Sequence, residues 1–136
     1  TDGMNKTLAA MEKHPAGLIF TNLVDFDMLY GHRNDIEGYA RSLEEFDVQL
    51  RTLLDRMRPD DLLLITADHG CDPTTPSTDH SREYVPVLAC CPSASRHGGI
   101  NLGTRRTLAD MGQTVAENFG FRLAQGDSFL KLLLPE

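Results

Sequence analysis

Three short segments combine carboxylates, imidazoles and glycines in patterns that could hold divalent metal ions. Residues 24–33 have the sequence VDFDMLYGHR, residues 66–72 have TADHGCD, and residues 78–83 have TDHSRE. Carboxylate oxygens and neutral imidazole nitrogens are ligands that Zn²⁺, Mn²⁺ and Fe²⁺ take from proteins. Gly31 and Gly70 allow the backbone to turn sharply or to approach a ligand closely. The segments therefore indicate a metal site.

Each segment has a plainer interpretation when it is taken alone. An aspartate after a strand often caps a helix or forms a turn, and an Asp–His pair is common on protein surfaces. The charge of Asp68 beside His69 would nevertheless be costly inside a fold without a cation. Because all three segments follow predicted strands, we expect them to meet at one rim of one sheet.

The elements that must position these segments predict an α/β fold. Residues 17–24 and 61–66 are near-continuous apolar runs of strand length, typical of central strands buried on both faces. Residues 35–57 lie between them and repeat apolar side chains at helical spacing up to Pro59. Strand, long helix and strand predict a mostly parallel sheet flanked by helices, which binds ligands beyond the carboxyl ends of its strands. The predicted inward side chains of the helix are Leu43, Phe46, Leu50, Leu53, Leu54 and Met57.

Further elements follow the same patterns. Residues 4–13 predict a short helix, and residues 84–90 predict a third strand in which Pro86 marks an edge or the first residue. The glycine-rich stretch 96–103 predicts a flexible loop. Residues 104–119 predict a helix that ends at Gly120. Its predicted inward side chains are Leu108, Met111, Val115 and Phe119.

Composition limits the classes of function. The 136 residues are 40% apolar and 24% charged, as in an ordinary globular domain or part of one. A formal charge of −7 argues against a nucleic-acid or anionic-membrane partner, and bound cations would reconcile it with phosphate chemistry. No apolar run is long enough for a membrane span. The three cysteines form no C-x-x-C pair, which favours a reducing cytoplasm.

The same segments closely resemble those of the phosphopentomutases, which belong to the alkaline phosphatase superfamily. The Asp68-His69-Gly70 element marks the wider superfamily and occurs also in cofactor-independent phosphoglycerate mutases. The stretch 25–33 is much more specific to phosphopentomutases. The resemblance also includes residues 78–83, followed by Val-Pro-Val-Leu at 85–88. The resemblance runs over nearly the whole chain and is strongest over residues 17–88.

The resemblance implies a two-metal active site. Asp27, His32 and His80 match the ligands of one ion, and Asp68 and His69 match two ligands of the other. The family uses two Mn²⁺ ions and a phosphothreonine to interconvert ribose (or deoxyribose) 1-phosphate and 5-phosphate. A sugar bisphosphate such as glucose 1,6-bisphosphate primes the threonine. The resemblance implies small pentose phosphates as the partners and the cytoplasm as the location.

Two departures from the family pattern limit what residues 1–136 are expected to do. No segment matches the upstream aspartate and nucleophilic threonine of the family, or its inserted substrate-binding cap domain. We therefore expect the chain to be a C-terminal portion of the metal-binding core, with no catalytic nucleophile and no activity by itself. The alternatives are another two-metal enzyme, such as a phosphoglycerate mutase, phosphatase or phosphodiesterase, and a non-catalytic metal-binding fragment.

Four charged residues near the predicted ligands keep two interpretations each. Asp25 suits a supporting or helix-capping role, because in an extended segment it faces away from Asp27. Asp79 could orient a histidine ring or be a solvated loop charge. Arg33 and Arg82 could bind phosphate or pair with nearby acids, and the two roles are equally weighted.

Overall fold

The computed structural model of the chain describes residues 2–94 and 99–134. Its elements are α1 (Asp2–Lys13), a π-helical turn (Phe26–Tyr30), a 3₁₀ turn (Gly31–Arg33), α2 (Ile36–Arg56), β1 (Leu63–Thr66), β2 (Val87–Cys90), α3 (Ala109–Asn118) and α4 (Leu130–Leu133). They form two compact units, one from Thr1–Met57 with His69–Val85 and one from Arg58–Asp68 with Pro86–Glu136. No helix in the described ranges is long and apolar enough to cross a membrane. Part of the loop predicted at 96–103 lies outside the described residues.

Helix α2 is the main element of the first unit, and its bounds confirm the prediction for residues 35–57. It begins after Asp35, whose side chain accepts a hydrogen bond from the Gly38 N–H at 2.9 Å and so caps the first turn. Phe26 of the π-helical turn packs edge-on against Phe46 and Tyr39 of α2, with ring centroids 6.1 Å apart in both pairs. The helix therefore supports the turn that carries Asp27.

The predicted inward face of α2 is only partly buried. Leu53 is buried, whereas Leu43 and Leu54 are exposed. Helix α1, predicted at residues 4–13, is confirmed and packs against α2. An exposed ion pair between Arg56 and Glu12 at 2.7 Å joins the two helices, and such surface pairs add little stability.

The prediction of a central strand over residues 17–24 is wrong in this structure. Residues 18–23 belong to no strand, and Leu18 and Phe20 are 64% and 85% exposed. A strand needs a neighbour for its backbone hydrogen bonds, and the described residues provide none that pairs with this run. The apolar composition predicted burial on both faces. In the structure α1 lies against part of the run, with Thr7 Oγ1 2.7 Å from Thr21 Oγ1, while Leu18 and Phe20 stay exposed.

The sheet of the second unit has two antiparallel strands. β1 and β2 pair with Leu63 opposite Cys90 and Thr66 opposite Val87. The expected mostly parallel sheet is therefore not confirmed, because the parallel arrangement required pairing between the 17–24 run and β1. The strand predicted over residues 84–90 is confirmed only over Val87–Cys90, and Pro86, which cannot donate a ladder hydrogen bond, directly precedes it.

Helix α3 ends as predicted but buries a different face. Gly120 has a φ of 76°, its N–H donates to the Glu117 carbonyl at 2.9 Å, and the Phe121 N–H donates to Ala116 at 2.8 Å. These two bonds form a Schellman motif, which needs a left-handed residue after the helix. The predicted inward residue Leu108 is 59% exposed. The buried side chains of the helix are instead polar: Asp110, Gln113 and Thr114.

Hydrogen bonds to the following loop explain this polar face. Thr114 Oγ1 accepts from the Phe129 N–H at 3.0 Å and donates to the Asp110 carbonyl at 2.8 Å. Gln113 Oε1 accepts from the Leu123 N–H at 2.8 Å. Apolar side chains could not satisfy these backbone groups, so the loop draws the polar side of α3 inward.

Asp110 is the centre of this network and is 1% exposed. Its Oδ1 accepts from the Asp127 N–H at 2.9 Å and from Thr107 Oγ1 at 3.1 Å, and its Oδ2 accepts from the Arg106 N–H at 3.1 Å. Arg105 Nε lies 3.6 Å from Oδ2. The bond from Asp127, with those from Arg106 and Thr107, holds the pKa of Asp110 below its ordinary value, although burial opposes the shift.

We expect Asp110→Asn to lower the free energy of unfolding by about 1.5–3 kcal/mol at neutral pH, because the charged acceptor of several buried hydrogen bonds is lost. The folded pKa of Asp110 lies below the unfolded value of about 3.9. The contribution of the Asp110 carboxylate to the free energy of unfolding is therefore fully present above the unfolded pKa. It is lost as the pH falls through the folded pKa. Urea unfolding of both chains from pH 7 into the acid range measures the difference.

Asp60→Asn is the control, since Asp60 is exposed and such surface changes usually alter stability by less than about 0.5 kcal/mol. If the free energies of unfolding of the parent and Asp110→Asn differed equally at neutral and acid pH, the stabilising role of the Asp110 charge would be contradicted.

Candidate metal centre

Asp27 and His32 lie in a loop of unusual backbone, residues 25–34, which we call the first ligand loop. The π-helical turn Phe26–Tyr30 holds Asp27, and the following 3₁₀ turn holds His32. Turns of the π type occur frequently at functional sites. Asn34 ends the loop with φ 51° and ψ 33°, a left-handed conformation that asparagine tolerates better than most residues. The amide of Asn34 donates to the Thr75 carbonyl at 3.0 Å.

His69 and His80 lie in a second loop, residues 69–83, which we call the histidine loop. An isolated antiparallel bridge pairs Gly70 with Ser81, and the Ser81 N–H donates to the Gly70 carbonyl at 3.0 Å. A Cβ at Gly70 would lie 2.6 Å from the Glu83 carbonyl oxygen, so the two arms of the loop approach too closely for any side chain. This pairing stacks the rings of His69 and His80 with centroids 3.5 Å apart.

An aspartate turn stabilises the distal part of the histidine loop. Asp72 Oδ1 accepts from the Thr74 N–H at 2.9 Å and from Thr74 Oγ1 at 2.6 Å. These hydrogen bonds lower the pKa of Asp72. The carboxylate of Asp72 is thus occupied in holding the turn, which gives a structural duty to a residue with no role assigned from sequence.

The two loops bring their ligand-type side chains together around the carboxylate of Asp27. Asp27 Oδ2 lies 3.1 Å from His32 Nε2, and Oδ1 lies 3.7 Å from His80 Nε2. One ligand atom each from Asp27, His69 and His80 lies within 4.8 Å of the others. The rings of His32 and His80 have centroids 5.0 Å apart.

Backbone carbonyl groups orient two of the imidazoles. His32 Nδ1 lies 2.6 Å from the Thr78 carbonyl oxygen, and His69 Nδ1 lies 3.1 Å from that of Gly70. Because a carbonyl oxygen only accepts, these contacts require a donating N–H at Nδ1, and Nε2 of His32 is the ring nitrogen that faces Asp27. Metal-binding histidines commonly donate their other N–H in this way.

The donor set fits a divalent ion. Asp27 Oδ1 is buried and accepts no hydrogen bond from the described part of the chain. A buried carboxylate oxygen without a donor is costly, and a cation removes that cost. Imidazole nitrogens combined with one carboxylate favour Mn²⁺, Fe²⁺ or Zn²⁺. Mg²⁺ and Ca²⁺ prefer sites made of oxygen ligands.

Two acidic groups beside Asp27 were not assigned a role from sequence. Burial is the first cause of the raised pKa of the Cys71 thiol, followed by the charges of Asp27 and Asp72. Burial likewise raises the pKa of Tyr39, with Cys71 and Asp27 adding to the effect. Both groups therefore stay protonated near neutral pH, and neither competes with Asp27 as an anionic ligand.

Four of the five ligands predicted from sequence gather in the first unit: Asp27, His32, His69 and His80. Asp68 belongs to the second unit and directly precedes His69 in the chain. The capping interpretation of Asp25 is wrong, because its side chain makes no cap hydrogen bond at the π-helical turn. Arg33, Arg82 and Asp79 are exposed beside the ligands.

Comparison with known proteins agrees with a metal centre. The family model of the metalloenzyme superfamily matches residues 1–123. A phosphopentomutase from Anaeromyxobacter sp. (strain K) is 62% identical over 129 residues, which are 95% of this chain and 32% of that protein. The phosphopentomutase of Kosmotoga olearia is 59% identical over 136 residues, 98% of this chain and 34% of its own length. The chain thus spans about a third of the length of these relatives. It belongs to the metalloenzyme superfamily.

Proposed function

We propose that the chain is a C-terminal part of the catalytic core of a phosphopentomutase, which interconverts ribose or deoxyribose 1-phosphate and 5-phosphate. The observation that carries the proposal is the buried Asp27 Oδ1, which accepts no hydrogen bond from the described residues and lies beside three histidines. Identities near 60% to proteins named phosphopentomutase support this choice over the phosphoglycerate mutases and phosphatases of the same superfamily.

We assign Asp27, His32 and His80 to one divalent ion, and Asp68 and His69 to a second. The short distances from Asp27 to His32 and His80 support the first group. His69 stacks on His80, as expected if its ion is a close neighbour of the first. Mn²⁺ is the proposed metal. When bound, two such ions stabilise the charge on a transferring phosphoryl group and favour deprotonation of a hydroxyl nucleophile.

The residues of this chain orient the site and supply none of the covalent chemistry. The Thr78 carbonyl sets the ring of His32, and the Gly70–Ser81 bridge sets His69 against His80. Arg33 and Arg82 are exposed cations close in sequence to His32 and His80, and we propose that they meet the substrate phosphate.

Two threonines of the histidine loop, Thr74 and Thr75, are unsuited to nucleophilic attack. Thr74 Oγ1 donates to the Asp72 carboxylate at 2.6 Å, and Thr75 Oγ1 donates to the Asp72 carbonyl at 3.0 Å. We propose that the nucleophilic threonine and the substrate-binding cap belong to the two thirds of the relatives that this chain does not span. A sugar bisphosphate such as glucose 1,6-bisphosphate would phosphorylate that threonine, and the reaction would take place in the cytoplasm.

We expect Asp27→Asn to raise the Kd for Mn²⁺ by at least about tenfold, a loss that even an outer partner of a metal ligand can cause. The substitution preserves shape but removes the negative charge at the centre of the cluster. Calorimetric titration of the chain with Mn²⁺ measures it, and His14→Ala is the control because His14 is an exposed residue at the end of α1. Equal affinity of parent and Asp27→Asn would refute Asp27 as a ligand.

We expect the chain by itself to convert no ribose 1-phosphate at an enzymatic rate. Loss of a covalent nucleophile removes most of the catalysis, and loss of the cap removes substrate positioning. The assay combines the chain with Mn²⁺, ribose 1-phosphate and catalytic glucose 1,6-bisphosphate. The intact Anaeromyxobacter relative serves as the positive control. Ordinary turnover by the chain would show that a nucleophile lies within residues 1–136.

A further inference from the structure

Gly31 and Cys71 form a close contact between the two ligand-bearing loops. Gly31 is buried, and a Cβ at this position would lie 2.6 Å from Cys71 Sγ. It would also lie 3.3 Å from the Phe26 carbonyl oxygen and 3.4 Å from Asp27 Oδ1. Real Cβ atoms do not approach sulfur so closely, so a side chain at Gly31 would force the two loops apart or displace the cysteine.

The backbone of Gly31 does not itself require glycine. Its φ and ψ are both −60°, a right-handed helical conformation that every L-residue adopts. An alanine there would lose less conformational entropy on folding than glycine does. The space occupied by the Cys71 sulfur is therefore what excludes a side chain at Gly31.

The position of the contact connects it to the candidate ligands. Gly31 directly precedes His32, and Cys71 follows His69 by two residues. Two hydrogen bonds also join the same loops, from Asn34 to the Thr75 carbonyl and between His32 Nδ1 and the Thr78 carbonyl. A Cβ at Gly31 would lie 2.6 Å from Cys71 Sγ and 3.4 Å from Asp27 Oδ1, so the contact lies beside the carboxylate of Asp27.

We propose that Gly31 and Cys71 are positioning residues that set the spacing between the Asp27–His32 pair and the His69–His80 pair. The inference rests on the proposed metal site. In this role the thiol of Cys71 acts through its size and its apolar contact, and neither binds the ion nor attacks substrate. Loops separated by even a few tenths of an ångström would present the same ligands with the wrong mutual distances.

A double-substitution cycle tests the spacing directly. We expect Gly31→Ala to raise the Kd for Mn²⁺ about tenfold or more, within the range for loss of outer support at metal sites. Cys71→Ala alone should raise it by a smaller factor than Gly31→Ala, because loss of the sulfur loosens the contact without forcing the loops apart. The double variant should recover most of the lost affinity, because the alanine methyl then occupies the space that the sulfur leaves.

The same four chains are unfolded with urea in the absence of metal, which measures the contact without the ion. Gly112→Ala is the matched control, since Gly112 is also helical and a Cβ there would meet only Leu123 Cδ1 at 3.7 Å. Its Mn²⁺ affinity should equal that of the parent.

The outcomes separate the two proposals. Loss of affinity in Gly31→Ala with recovery in the double variant supports the positioning role. Coupled changes in metal-free stability with equal Mn²⁺ affinity in all four chains would overturn it, since the contact would then be structural only. A parent chain that binds no Mn²⁺ would overturn the metal-site proposal itself, and this inference would fall with it.

Discussion

The negative charge of Asp27 is the constraint on which the geometry of the first unit depends. One carboxylate oxygen faces His32, and the other is buried with no hydrogen-bond donor from the described residues. Such an atom is costly unless something outside the hydrogen bonds of the chain compensates its charge. The stacked side chains of His69 and His80 lie beside it, and imidazoles are common ligands of divalent cations. This points to a cation as the partner that compensates the charge.

Local turn chemistry prepares this site before any ligand arrives. Asp72 stabilises its turn by a hydrogen bond from Thr74. Asn34 adopts a left-handed conformation at the end of the first ligand loop. Gly70 allows the two arms of the histidine loop to pair. Each device fixes backbone that would otherwise be ordered only on binding, where the entropic cost would weaken affinity. Stiff loops of this kind are what allows a site to be built outside regular secondary structure.

Short-range patterns predicted α1, α2 and the end of α3, but neither the start of α3 at Ala109 nor α4. The apolar periodicity of α2, the left-handed stop at Gly120 and the strand over Val87–Cys90 depend on a few neighbouring residues, and the structure confirms all three. The ligand types were recognisable because carboxylate and imidazole recur beside glycine at predicted strand ends. Their convergence depended on loops that periodicity does not describe.

Features that depend on distant partners were not predictable in the same way. The run at 17–24 has strand composition, but strand formation requires a neighbour that pattern alone does not supply. The buried face of α3 is polar because loop N–H groups near Leu123 and Phe129 need acceptors. The Gly31–Cys71 contact joins residues forty positions apart, and neither residue type by itself signals the other.

The polar interior of the second unit has a thermodynamic consequence. Asp110, Gln113 and Thr114 are buried there, while Cys91 and Phe129 are the buried apolar side chains of the same unit within its described residues. Exposure of apolar surface raises the heat capacity on unfolding, and exposure of polar surface lowers it. The burial of Asp110, Gln113 and Thr114 therefore reduces the heat-capacity change on unfolding. A smaller heat-capacity change makes the free energy of unfolding vary less steeply with temperature.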